Sequence, residues 1–113
     1  INQPGAVTQS MVETLDLFPT LCELTDLPIP EFVNGVSLKP LLQDPNAPGH
    51  PAIAYTARAR TIRHDSHRMI LHKDGFVELY DHSSAEKETR NIAPGNEALV
   101  TRLSMRLSRR LKE

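Results

Sequence analysis

The apolar positions change period along the chain, and each change predicts an element. Over residues 17–25, Leu17, Leu21 and Leu24, with Phe18 and Cys22, recur at i, i+3/i+4 spacing, the pattern of one helical face. Asp16 stands ahead of this run as an N-cap whose carboxylate would accept free N–H groups and complement the positive end of the helix. Pro19 then falls in the first turn, where its missing N–H costs no helical hydrogen bond. Pro28 and Pro30 end the helix by forcing the residues before them out of helical backbone. The stretch 7–14 ahead of it has no clear period and reads as an extended lead-in strand. Behind it, Asn34-Gly35 signals a turn, and Ser37 caps a single helical turn over 38–42. A Pro/Gly-rich wrapping loop follows through Pro51, pinned by Val36, Leu38, Leu41 and Leu42.

From there the pattern becomes strand-like. The runs "AIAYTA" (52–57), "TIRH" (61–64), "HRMILHK" (67–73) and "FVELYD" (76–81) predict strands. Asp74-Gly75 between the last two predicts a type I′ hairpin, which needs positive φ at both central residues. In that hairpin Met69 and Leu71 share one face, and Ile70 lies on the other with Arg68 and His72. A polar loop, "HSSAEKETRNIAPGN", leads to a helix over 97–111 capped by Asn96, with a stripe of Leu99, Leu103, Leu107 and Leu111 flanked by Val100. The order implies an α+β fold: a small antiparallel sheet of about four strands packed against the C-terminal helix, with a short N-terminal helix.

Composition narrows the picture only slightly. The chain has 113 residues, is 39% hydrophobic and carries a net charge of −1, which suits one small globular domain. Nothing in this balance indicates a nucleic-acid or membrane partner, and no apolar run nears the roughly 20 residues of a membrane span. One cysteine excludes an intramolecular disulfide and a cysteine zinc cage. The opening "INQPGAVTQS" has neither a start Met nor an apolar leader, which points to a piece of a longer protein.

Candidate chemistry is sparse. Cys22 lies between Leu21 and Glu23 on an apolar helical face, where packing outweighs nucleophilic use. His64, His67 and Asp65 lack the spacing of a metal motif and read as solvated hairpin residues. Arg58, Arg60, Arg63 and Arg68 cluster in "ARARTIRHDSHR". Such a cluster suits bidentate recognition of sulfate, phosphate or carboxylate, and it equally suits a sheet edge charged against aggregation. The basic C-terminal helix, with Arg106, Arg109, Arg110 and Lys112 toward its end, reads as a solvated face whose cations complement the dipole. No phosphate loop, dinucleotide motif or nucleophile elbow is present.

Four ordered phrases nonetheless resemble one family. "VETLDLFPTLCELTDLPIP", "NGVSLKPLLQDP", "TIRHDSHRMI" and "GFVELYDHSSAEKETRNIA" are similar to the C-terminal part of type I sulfatases, closest to the iduronate-2-sulfatase-like branch of the alkaline phosphatase superfamily. The matching positions are Asp16, Phe18, Pro19, Thr20 and Leu21 in the first phrase, and Gly35, Ser37, Leu38, Pro40, Leu41 and Leu42 in the second. The third matches at Ile62, Arg63, Asp65 and Arg68, and the fourth at Glu78–Asp81, Glu88, Asn91 and Ala93. His64, His67 and the stretch "SSAEKE" depart from the family pattern.

The resemblance implies a smaller C-terminal subdomain that packs on an N-terminal catalytic domain of the same polypeptide and closes one side of a sulfated-substrate pocket. It reads residues 1–50 as a connecting segment, 51–82 as antiparallel strands and 96–112 as the C-terminal helix. It implies formylglycine, made from the Cys of a C-x-P-S-R motif, and calcium, both in that N-terminal domain. No catalytic residue and no metal ligand falls in this chain, and Cys22, followed by Glu23, is no formylglycine precursor. The family implies a periplasmic, secreted or lysosome-like location and a sulfated uronic acid or glycosaminoglycan as substrate. Arg58 and Arg60 are the candidate substrate-binding residues, and Val7, Val12, Leu15 and Phe18 are expected in an exposed apolar patch facing the catalytic domain. Two other readings stand beside this one: the equivalent piece of a phosphonate monoesterase or phosphodiesterase, and an independent sulfated-glycan-binding module.

Overall fold

A computed structural model describes residues 3–112. The chain divides into two compact units at His50-Pro51. In the first unit a 3-10 turn, Thr14–Asp16, runs into helix α1, Leu17–Leu24, and a short helix α2, Lys39–Gln43, follows. In the second, strands β1 (Ala52–Tyr55), β2 (Ala59–His64), β3 (His67–His72) and β4 (Val77–Asp81) form an antiparallel meander in the order β1-β2-β3-β4. Helix α3, Glu97–Leu111, closes the chain.

The first unit departs from its sequence reading in instructive ways. Residues 7–13 form no strand: no strand lies in the described residues of this unit to pair with, and polar side chains take up the backbone locally. Thr8 Oγ1 accepts the Ser10 N–H at 3.1 Å, and Ser10 Oγ donates to the Ala47 carbonyl at 2.8 Å. The turn falls at Pro30–Val33, closed by the Val33 N–H on the Pro30 carbonyl at 3.1 Å, and not at Asn34-Gly35. Helix α2 starts one residue later than predicted because Ser37 Oγ accepts the Lys39 N–H at 3.2 Å, leaving Leu38 as N-cap. In α1 the buried residues are Pro19, Thr20 and Cys22, whereas Leu17, Phe18, Leu21 and Leu24 are each more than half exposed. The apolar face seen in the sequence is real, but it points outward.

The second unit follows the alternation closely. Ile53, Ile62, Met69 and Leu79 lie in register across the sheet on one face. Ile62, Met69 and Leu79 are fully buried there with Leu103 and Leu107 of α3, while Leu99, Val100 and Leu111 pack around them. Burying each such side chain contributes roughly 1.5–3 kcal/mol. The β3–β4 loop differs from a type I′ turn: only Gly75 takes a positive φ, 90°, so Lys73, Asp74 and Gly75 form a three-residue loop with glycine at the left-handed position. Asn96 is the N-cap of α3 by position, but its Nδ2 donates back to the Ile92 carbonyl at 2.7 Å, and the helix start carries no side-chain cap. The exposed edge of β4 is covered by Asn91. Its Oδ1 accepts the Leu79 N–H at 2.9 Å and its Nδ2 donates to the Val77 carbonyl at 3.0 Å, while the Ile92 N–H reaches the Leu79 carbonyl at 2.8 Å.

Candidate functional site

Arg58 falls at the turn between β1 and β2, and Arg60 is the second residue of β2. Thr56 Oγ1 accepts the N–H groups of both Arg58 and Ala59 at 3.2 Å, and the Thr56 N–H donates to the Ala59 carbonyl at 2.8 Å. This side-chain turn ends β1 at Tyr55 and lifts Arg58 into solvent. The Lys73 N–H donates to the Arg58 carbonyl at 2.9 Å, which brings the β3–β4 loop alongside. The result is an open groove of about 360 Å³ that holds Arg58, Arg60, His72 and Lys73 and no carboxylate among its lining residues. Sequence reasoning named the two arginines as candidates, and the structure places both at this groove. It missed Lys73 and His72, which join them only through the pairing of β2 with β3. Arg60 and Arg63 lie in β2 and Arg68 in β3, the inner strands, so charging of a sheet edge does not account for them.

The outer sheet face carries two acid–base chains. Arg68 Nη1 donates to both oxygens of Glu88 at 2.8 and 3.0 Å, and His82 Nε2 lies 2.8 Å from the same carboxylate. The Arg68 hydrogen bond, then that of His82, hold the Glu88 pKa below the ordinary glutamate range. Glu78 is lowered in the same sense, first by the Tyr80 hydroxyl and then by His72. These hydrogen-bonded pairings read as fasteners of the sheet.

Asp16 does not cap α1 with its side chain. Fully buried, it holds three other groups: Oδ1 accepts the Val36 N–H at 2.9 Å, and Oδ2 accepts the Glu13 N–H at 2.7 Å and meets His50 Nε2 at 2.8 Å. Burial raises the Asp16 pKa, but hydrogen bonds from Val36, Glu13 and His50 together outweigh it and bring the group below its ordinary value. Thr20 completes the clasp, its Oγ1 accepting the Leu38 N–H at 2.7 Å while donating to the Asp16 carbonyl at 2.6 Å. Gly35 sits where a Cβ would lie 2.1 Å from the Leu15 carbonyl oxygen. The two phrases "DLFPT" and "GVSL" are thus the two halves of one hydrogen-bonded clasp.

Neither implied cofactor fits the residues here. Glu13, Asp16 and His50 bring ligand-capable atoms within 4.8 Å of one another. The oxygens of Asp16 are already taken up by backbone N–H groups and an imidazole, unlike the six to eight oxygen ligands of a calcium cage. Cys22 is buried in α1 and followed by Glu23, which does not fit a formylglycine precursor.

Comparison with known proteins gives these features a context. The family model described as N-sulphoglucosamine sulphohydrolase, C-terminal, matches residues 1–113. A Delta 4,5-hexuronate-2-O-sulfatase of Bacteroides thetaiotaomicron is 31% identical over 91 residues, covering 71% of this chain and 19% of the relative. Arylsulfatase K of Xenopus laevis is 31% identical over 108 residues, covering 80% of this chain and 20% of the relative. A protein solved with its substrate D-glucosamine-2-N,6-O-disulfate superposes with a TM-score of 0.71 at 21% identity, over 86% of this chain and 24% of that one, and shows the same fold. The chain therefore spans about a fifth of the length of these curated relatives. A clasped helix, a four-stranded meander and a closing helix, matched from end to end by that family model, make this chain a member of the C-terminal sulfatase domains of the N-sulphoglucosamine sulphohydrolase family.

Proposed function

We propose that this chain forms one wall of the substrate pocket of a sulfatase that hydrolyses sulfate esters of an anionic sugar, and that it does no chemistry itself. The sulfate-ester chemistry, with its formylglycine and calcium, belongs in this reading to a catalytic domain of the same polypeptide. The exposed apolar residues of the first unit, Val7, Val12, Leu15, Phe18 and their α1 neighbours, pack against that domain.

The observation that carries the substrate reading is the groove of Arg58, Arg60 and Lys73 with no lining carboxylate. A planar guanidinium fork pairs with sulfate and carboxylate alike. The likeness to a hexuronate-2-O-sulfatase supports a sulfated uronic acid as the class of substrate.

The test is Arg58→Ala and Arg60→Ala in the polypeptide that carries this chain with its catalytic domain. One lost hydrogen bond to a charged group is worth roughly 1.5–3 kcal/mol, which is about ten- to a hundredfold in kcat/KM. We expect that loss on a sulfated uronic-acid substrate and little change on a small aryl sulfate, which does not reach this wall. Unchanged rates on both substrates would return the arginines to mere solubilising charges.

A further inference from the structure

A second basic recess lies at the other end of the sheet. His64 and His67 pair directly across the β2–β3 turn, and both fall on the pleat that faces α3, with Ile62 and Met69. They line a cleft of about 380 Å³ with Ser66, Arg102 and Arg106, floored by Leu99 and Leu103. Arg102 and Arg106 are one helical turn apart, so both guanidinium groups project along one flank of α3.

Both arginines lie on the solvated side of α3, but neither the helix dipole nor a local ion pair engages them. The basic residues of the last turn of α3 are Arg109 and Arg110, so the helix dipole does not account for Arg102 and Arg106. Among the described residues neither has a carboxylate at ion-pair distance. The one acidic residue lining the cleft, Asp65, is largely exposed and lies 3.6 Å from His64. Two exposed arginines and two histidines thus line one cleft, in a volume typical of small-molecule sites, while the Ser66 hydroxyl beside His67 is engaged by the Asp81 carboxylate.

We infer that this cleft is a second anion-binding subsite, which takes a sugar unit bearing sulfate or carboxylate groups. Oxyanion groups fit the arginine forks, and the C–H face of a sugar ring fits the half-buried Leu99. Arg60 and His64 are separated by four positions along β2, about 13 Å at roughly 3.3 Å per residue, so the cleft is distinct from the groove at Arg58 and Arg60. The site goes beyond the proposed pocket wall: an extended anionic glycan would be held at both ends of the sheet.

The experiment is amide-resolved NMR titration of the 113-residue chain with a sulfated uronic-acid disaccharide, with its desulfated form, and with inorganic sulfate, against chloride at equal ionic strength. The expected result is saturable shifts at the amides of residues 64–67 and 102–106 with the sulfated disaccharide. Weaker shifts of the same amides are expected with sulfate, and none with chloride. An Arg102→Gln/Arg106→Gln variant with unchanged circular dichroism should lose at least tenfold in affinity, while Arg58→Ala/Arg60→Ala keeps these shifts. Shifts that track ionic strength alone, or that leave residues 64–67 unmoved, would overturn the inference, as would equal affinity in the Arg102/Arg106 variant. The wild-type map stands even if that variant misfolds, and the result does not depend on the kinetic test of Arg58 and Arg60.

Discussion

At the scale of single residues, Asp16 shows how a buried carboxylate can hold a fold that has little core. It ties the Glu13 and Val36 backbones and His50 to one point. Asp16→Asn keeps the shape but turns one oxygen into a donor facing other donors. An unsatisfied buried group costs about 1–3 kcal/mol, so the variant should lose that much in denaturant unfolding. The folded pKa of Asp16 lies below its unfolded value, near 3.9. Its contribution is therefore complete above about pH 4 and is lost as pH falls through the folded value. The gap between wild type and Asp16→Asn should close with acidification in that window; a gap that holds constant down to pH 2 would contradict the pairing. Gly35 makes a second residue-scale case. Gly35→Ala puts a methyl 2.1 Å from a backbone oxygen that cannot rotate away, and should cost on the order of 3 kcal/mol. Gly75→Ala meets open space and should lose only about 1 kcal/mol to its positive φ. Equal thermal shifts for the two would show that loop 33–38 can move off the 3-10 turn.

At the scale of elements, the four strands and α3 were legible because their apolar partners lie inside the chain: alternation and the leucine stripe each mark the side that is buried. In α1 the same rule gave the apolar face, and the expected exposure of Val7, Val12, Leu15 and Phe18 is what the structure shows. Periodicity locates an apolar face but not its cover, and among the described residues Leu17, Leu21 and Leu24 stay more than half exposed. Asp16 was read as a local cap because its partners Val36 and His50 are distant in sequence. The basic cleft was invisible for the same reason, since it needs a hairpin and a helix more than 30 residues apart. Adjacent Arg58 and Arg60 could be found locally, Lys73 could not. Asn91 shows how an irregular loop completes an element. Asn91→Ala removes two bonds to β4 and should destabilise the second unit by about 2 kcal/mol. Hydrogen exchange offers the check: the Leu79 amide should lose protection well before the Met69 amide in the sheet interior. Uniform loss across the sheet would mean that Asn91 acts on global stability and not on the edge.

At the scale of the whole molecule, the phrases that carry the family likeness are mostly fasteners. Asp16, Thr20, Gly35, Arg68, Glu88 and Asn91 hold turns and edges, and the groups that the proposals assign to anions, Arg58, Arg60, Lys73, Arg102 and Arg106, lie outside those phrases' matching positions. In the proposed reading such a domain serves by docking and by presenting charge. The central claim is that the outward apolar face of α1 is an interface with the catalytic domain. The most direct measurement is the thermal stability of Leu17→Gln/Leu21→Gln, made once in the isolated chain and once in the polypeptide with its catalytic domain. Both side chains are more than half exposed here, so the isolated variant should unfold within about 0.5 kcal/mol of wild type. In the longer polypeptide each lost burial should cost about 1.5–3 kcal/mol, with a clear fall in Tm and in sulfatase turnover. A double variant that matches wild type in both settings would contradict the account.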